Sequence, residues 1–190
     1  MGSSRDLCRA QRGTLARIDR SRLRRGARAD WERPTLSTAV QALQGVPNVC
    51  QLLPTVATGG QPSAAHLAAY RSAGGEVVLD LREPMEPRPL DERATAETLG
   101  LEYVNVPVGA GALNDETIKR VLEALREARD RQVFVHCGSG SRVGAALIPF
   151  LMLDHGMVEE DAIGQAMRLG LRSAELMEWG LDYARRHGTP

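Results

Sequence analysis

The sequence predicts an α/β fold in which a mostly parallel sheet is covered by helices on both faces. Two short runs, "EVVLDL" and "QVFVH", are almost continuously apolar, as expected of strands that are buried on both sides. Segments with apolar residues at helical spacing lie between such runs, and clusters of glycine and proline separate them. Strands that alternate with helices are typical of a parallel sheet with a helical layer on each side.

The elements of the first half of the domain can be assigned from their local signals. "LSTAVQAL" has the composition of a short helix, and Pro47 leads into the apolar run "VCQLL". After the "TGG" turn, Ser63 is expected to be the N-cap of a helix that ends at Gly74 and Gly75. "EVVLDL" is the buried strand, and the three prolines of "REPMEPRPLD" predict a loop after it.

The second half continues the alternation. A short helix over about 92–99 ends at Gly100, and "EYVNVPV" follows as a strand. Asn114 or Asp115 is expected to cap the helix "ETIKRVLEALREARD", which has one apolar face to bury. The strand "QVFVH" leads into "SRVGAALIPFLMLDHG", a helix that is apolar nearly all round. Two more helices are predicted near 159–169 and 173–187.

Length and charge indicate one domain with an N-terminal extension. The 190 residues suit a single core, which we expect to span 36–190. Residues 1–33 contain ten arginines against four acidic residues, so 1–35 are predicted to be an Arg-rich, flexible extension. The net charge of zero gives no indication of nucleic-acid binding. The longest apolar run, "AALIPFLML", is too short to cross a bilayer, so no membrane association is expected.

The three cysteines, Cys8, Cys50 and Cys137, are widely separated and include no Cys-x-x-Cys pair. This pattern predicts neither a disulfide framework nor a zinc site, and it favours a reducing, cytoplasmic setting. We expect no metal ion and no organic cofactor. Cys8 and Cys50 are interpreted as small buried hydrophobic residues.

The stretch "HCGSGSR" carries the chemistry. Ligands of parallel sheets bind beyond the carboxyl ends of the strands, where Cys137 would lie. The backbone N–H groups of the next residues can surround an anion, and Arg142 adds a planar fork of donors for a tetrahedral oxyanion. The same positive field favours the thiolate form of Cys137. We therefore predict a nucleophile beside an oxyanion site, with His136 in support. The predicted binding loop is Gly138, Ser139, Gly140, Ser141 and Arg142.

"HCGSGSRVGA" resembles the signature loop of the cysteine-dependent phosphatases, the protein tyrosine and dual-specificity superfamily. "ATGGQPSAAHLAAYRSAGGEVVLDLRE" and "LGLEYVNVPV" are similar to the bacterial phosphatase-like domain of beta-lactamase-hydrolase-like proteins (DUF442). The resemblance covers roughly 49–171 and implies the three-layer fold of dual-specificity phosphatases. It implies Cys137 as nucleophile and Arg142 as oxyanion clamp. Gln61 in "GGQP" and Arg82 in "DLRE" are implied as supporting residues at the same end of the sheet.

The implied activity is hydrolysis of a phosphomonoester, on a small molecule or a phosphoprotein, through a phosphocysteine. Three features depart from the pattern of that superfamily. Four residues, instead of five, separate Cys137 from Arg142, and Val143 stands where many phosphatases have a hydroxyl residue. The third departure is that the segment before the helix lacks an acidic residue to protonate the leaving group. Asp115 is the nearest candidate for this acid, although capping is its expected role, and the alternatives are Asp80, Glu83 and Glu86.

These departures leave two other functions open. Rhodanese-type sulfurtransferases also use a cysteine that opens a loop of backbone amides, and "CGSGSR" has the length of their loop. Such an enzyme would carry sulfur as a persulfide on Cys137 and would need no acid for a leaving alkoxide. The other alternative is a weakly active module that binds oxyanions. The oligomeric state is not predicted.

Overall fold

The computed structural model describes residues 37–188 and confirms the predicted α/β fold. The strands are β1 (Cys50–Leu53), β2 (Val56–Gly59), β3 (Val77–Asp80), β4 (Glu102–Asn105) and β5 (Val133–His136). The α-helices are α1 (Thr38–Ala42), α2 (Ala64–Ser72), α3 (Glu92–Thr98), α4 (Asp115–Ala128), α5 (Ser141–Pro149), α6 (Glu159–Arg168) and α7 (Ala174–His187). A 3-10 turn, Ala110–Ala112, precedes α4, and a π-helical segment, Phe150–Asp154, continues α5. The predicted N-terminal extension, with Cys8, lies outside the described residues.

The five strands form one sheet in the order β1-β2-β5-β3-β4. β1 runs antiparallel to β2, and the other three pairings are parallel. In the register of these pairs, the last residue of β5, His136, lies opposite both Gly59 of β2 and Asp80 of β3. Three parallel strands therefore end side by side, and Cys137 follows the central one.

One strand was not predicted. β2 contains Thr58 and Gly59, which the sequence assigned to a turn, yet all four of its residues are buried. It forms a hairpin with β1 and pairs on its other side with β5. Burial between two strands, which depends on residues distant in sequence, overrides the local turn preference of "TGG".

Helices cover both faces of the sheet, as predicted. α1, α2 and α3 contribute to a core cluster on one side, together with Val78 and Phe134 of the central strands. On the other side, α4 buries the apolar face that its sequence predicted, namely Ile118, Val121, Leu122 and Leu125. α5 is buried from Val143 to Pro149 and packs against α6 and α7. Between residues 37 and 188, no helix is long and apolar enough to span a membrane.

Candidate active site

Cys137 lies directly after β5, and only 1% of its surface is exposed. Its backbone N–H donates to Gly59 O of β2 at 3.4 Å, which ties the start of the loop to the sheet. The N–H of Gly140 donates to Cys137 Sγ at 3.1 Å, a contact that stabilises negative charge on sulfur. Gly140 has φ +99° and caps α5, and a Cβ there would lie 2.4 Å from Leu169 O. Both facts require glycine at this position.

Two contacts from outside orient the peptide groups of the loop. The N–H of Gln61 donates to Gly138 O at 3.1 Å, and Asn48 Nδ2 donates to Ser139 O at 2.7 Å. In a trans peptide the N–H points away from the C=O of the preceding residue. Because these two carbonyls point outward, the N–H groups of Ser139 and Gly140 face the inside of the loop, and that of Gly140 reaches Cys137 Sγ.

Arg142 lies in the first turn of α5, and its side chain extends back toward Gly138 at the start of the loop. It forms a bidentate ion pair with Glu86, and Nη1 also donates to Val108 O at 3.1 Å. A Cβ built on Gly138 would lie 3.6 Å from Nη2, so this nitrogen lies next to the loop. The hydrogen bond to Glu86 raises the pKa of Arg142 against the effect of burial, and the electrostatic interaction with Cys137 raises this pKa further. The guanidinium is thus placed between Glu86 and the sulfur.

A buried polar network lies beneath the loop. His136 is fully buried, and its Nδ1 lies 3.4 Å from Cys137 O. Its Nε2 lies 2.7 Å from Glu92 Oε1, an ion-pair distance reached without good hydrogen-bond geometry. Glu92 Oε2 accepts from Arg82 at 2.6 Å and from Gln61 at 2.9 Å. Gln61 therefore contacts both the loop and the network, and His136 lies between Glu92 and the backbone of Cys137.

Asp80, at the end of β3, is the second carboxylate of the network. Arg82 donates to both of its oxygens, at 3.1 and 3.0 Å, and Tyr103 and Arg88 each donate to Oδ2 at 2.7 Å. Burial alone would raise the pKa of Asp80, but His136, Arg82 and Tyr103 outweigh it and lower the pKa to about 2. Asp80 is therefore held as a carboxylate.

Asp80, Glu92 and His136 are also the group that could hold a metal ion, since their ligand atoms lie within 4.8 Å of one another. However, the guanidinium of Arg82 already binds both carboxylates, and its side chain is only 2% exposed. Arg82 and Arg88 together balance the two negative charges. The group fits a guanidinium-centred network that supports the loop better than it fits a metal ion.

Asp115, the first candidate for the general acid, lies at the start of α4. The N-cap is Asn114, whose side chain accepts from Thr117 N at 3.0 Å. Both Asp115 oxygens accept from Arg186 of α7 at 2.7 Å, and this pairing, with His187, lowers the pKa of Asp115 to about 2. The geometry indicates a surface ion pair between α4 and α7, and nothing in it supports proton donation.

Sequence reasoning missed three residues of the site. Asn48 follows Pro47 with φ +51°, a conformation that asparagine tolerates, and "PN" was the only available signal. Glu92 was assigned only to the start of a helix, although it is 1% exposed. Glu86 was considered as an acid but not as the partner of Arg142.

A family model and one curated relative match this chain. A family model described as "DSP-PTPase phosphatase fused to NAD+ Kinase" matches residues 32–176. A beta-lactamase hydrolase-like protein of Agrobacterium fabrum is 28% identical over 87 residues, which are 44% of this chain but 20% of that relative's length.

Solved structures show the same fold. A DUF442 protein of Shewanella putrefaciens, described as a putative phosphatase, aligns over 79% of this chain and 99% of its own, with TM-score 0.66 and 20% identity. A cysteine-to-serine form of TpbA from P. aeruginosa, in complex with phosphotyrosine, aligns over 73% of this chain and 83% of its own, with TM-score 0.58 and 20% identity. The resemblance expected from the sequence is thus confirmed. Because the family model covers most of the chain, the protein belongs to the DSP-PTPase phosphatases of the family described as fused to NAD+ kinase.

Proposed function

We propose that this protein is a phosphatase that hydrolyses phosphomonoesters through a phosphocysteine on Cys137. The observation that carries the proposal is the position of Arg142, whose guanidinium lies beside a sulfur that already accepts the Gly140 N–H. A tetrahedral phosphoryl group on the sulfur would accept hydrogen bonds from the inward N–H groups of the loop. It would also accept from the N–H groups of the Arg142 guanidinium that are not bound to Glu86. This arrangement supplies a nucleophile and positive groups for the oxyanion at one point.

In the first step, Cys137 Sγ attacks phosphorus, the S–P bond forms and the bond to the ester oxygen breaks. The leaving oxygen takes a proton and departs as an alcohol or phenol. In the second step, water attacks phosphorus, the S–P bond breaks, and inorganic phosphate and the free cysteine are released. The phosphotyrosine complex of the related TpbA structure supports a phosphorylated substrate for this chain as well.

The short loop is compatible with this chemistry. α5 begins at Ser141, immediately after the left-handed Gly140, so Arg142 already belongs to its first turn. From there its side chain reaches back to Gly138. Four intervening residues therefore support the same pairing of sulfur and guanidinium that five provide in the wider superfamily.

The deciding experiment incubates the protein separately with an aryl phosphate and with thiosulfate, followed by mass measurement of the Cys137 peptide. We expect phosphate release that is lost in Cys137→Ser and retained in Cys50→Ser, the matched control. A gain of one sulfur atom on Cys137 without phosphate release would establish sulfur transfer instead. Bound phosphate with neither product would indicate an oxyanion-binding module.

A further inference from the structure

Cleavage of an ester with a basic leaving oxygen requires a proton donor near that oxygen. Three of the four carboxyl groups that the sequence offered for this role are committed to cations: Asp80 to Arg82 and Arg88, Glu86 to Arg142, and Asp115 to Arg186. Each would have to give up an ion pair to carry a proton.

The fourth, Glu83, is placed differently. It is exposed, in the loop between β3 and α3, and its backbone N–H donates to Glu86 Oε1 at 2.6 Å. Within residues 37–188, its carboxyl group has no hydrogen-bond or ion-pair partner. It can therefore exchange a proton without breaking a contact.

The carboxyl group of Glu83 lies against the opposite wall of the site. A Cβ built on Gly109 would lie 2.1 Å from Glu83 Cδ and 2.2 and 2.4 Å from its two oxygens. The residue before Gly109 is Val108, whose carbonyl binds Arg142. The carboxyl group therefore lies beside the segment whose Val108 carbonyl holds the guanidinium of Arg142, in space that a side chain at position 109 would enter.

We propose that Glu83 is the general acid of this site. This proposal rests on the proposed phosphatase function and extends the substrates to phosphomonoesters of alcohols and phenols whose leaving oxygen is strongly basic. As the P–O bond breaks, the proton of the Glu83 carboxyl group passes to the leaving oxygen. In the second step the carboxylate accepts a proton from the water that attacks phosphorus, which restores the acid. No other reactant is needed.

Two esters that differ only in the leaving group test this assignment. The nitrophenolate of para-nitrophenyl phosphate leaves without protonation, whereas the phenolate of phenyl phosphate needs a proton. For Glu83→Gln we expect kcat/KM, which reports the first chemical step, to fall about 100-fold or more with phenyl phosphate and less than tenfold with the nitrophenyl ester. Glu83→Asp, which keeps the acid, should recover part of the loss.

Two further variants separate proton donation from a structural effect. Gly109→Ala leaves Glu83 unchanged but adds the Cβ that displaces its carboxyl group, so it should also impair phenyl phosphate selectively. Glu97→Gln, at an exposed carboxylate of α3, should match the wild type with both esters. Equal losses on both esters in Glu83→Gln, or no loss on either, would overturn the assignment. A wild-type protein that releases no phosphate from either ester would instead overturn the phosphatase function and this inference with it.

Discussion

Glu92 Oε1 and His136 Nε2 lie 2.7 Å apart in the interior, where neither residue is exposed by more than 1%. The glutamate comes from the start of α3 and the histidine from the end of β5, so the contact joins one helical layer to the central strand. It places a negative charge on the far side of the imidazole from the Cys137 carbonyl. The imidazole therefore lies between the Glu92 carboxyl group and the backbone of Cys137, and it links the start of α3 to the loop that follows β5.

Loss of the Glu92 charge should destabilise the whole domain. In Glu92→Gln, Arg82 loses an ionic partner in the interior, and breaking a buried pair costs about 3–5 kcal/mol. Urea unfolding at neutral pH measures this loss, with Glu97→Gln as a surface control that should stay within about 0.5 kcal/mol of the wild type. A Glu92→Gln protein as stable as the control would show that the network contributes little to the free energy of unfolding.

The contribution of Tyr103 should diminish in acid. Tyr103 donates to Asp80 at 2.7 Å, and the pKa of Asp80 is lowered to about 2 from 3.8. A lowered pKa in the folded state gives stability that is present above pH 4 and is lost as pH falls through 2. We expect Tyr103→Phe to cost about 1 kcal/mol at pH 7 and less than about half of that near pH 2, where Asp80 is half protonated in the folded state. Unfolding at a series of pH values checks this, and a cost independent of pH would contradict it.

Asn48 should act through the shape of the phosphate-binding loop. Asn48→Gly permits the same positive φ but removes the donor to Ser139 O, so the Gly140 N–H is no longer held toward the sulfur. We expect inhibition by inorganic phosphate to weaken about tenfold, equivalent to about 1.4 kcal/mol, with the unfolding midpoint little changed. Asn48→Asp, which keeps the shape but places a carboxylate against the carbonyl, should weaken it further. Unchanged phosphate inhibition in both variants would show that Asn48 has no role in phosphate binding.

Val143 should slow the second chemical step. This residue is fully buried and has no hydroxyl to assist departure of the cysteine, so the phosphocysteine is expected to accumulate. Rapid mixing with para-nitrophenyl phosphate should show a burst of nitrophenol close to one equivalent of enzyme. Val143→Thr should diminish the burst and raise the steady rate, at a stability cost of about 1 kcal/mol for the buried hydroxyl. Linear release from the first turnover in the wild type would refute this expectation.

Much of the fold could be predicted because its signals are local. The cap at Ser63, the apolar face of α4 and the continuous apolar runs of β3 and β5 each depend on residues close in sequence. β2 could not be predicted, since "VATG" is a strand only because it is buried between β1 and β5.

The site divides in the same way. Cys137, Arg142 and the glycines between them form one contiguous motif, so the chemistry that we propose for them could be predicted from the sequence. The contacts that orient them are not, because Asn48 reaches Ser139 across 91 positions and Glu86 reaches Arg142 across 56. Only the order of the strands brings these segments together.

The close approach of Gly140 to Leu169 O links the length of the loop between Cys137 and Arg142 to the distant connection between α6 and α7. We expect an extra residue between Cys137 and Arg142 to shift this backbone against the connection after α6, where a single added Cβ at position 140 already meets Leu169 O. The length of this loop and the conformation of the α6–α7 connection therefore depend on each other. A chimera that takes the longer loop of another phosphatase should also take the connection that follows α6 in that protein. Insertion of the residue alone would displace one side of the oxyanion site.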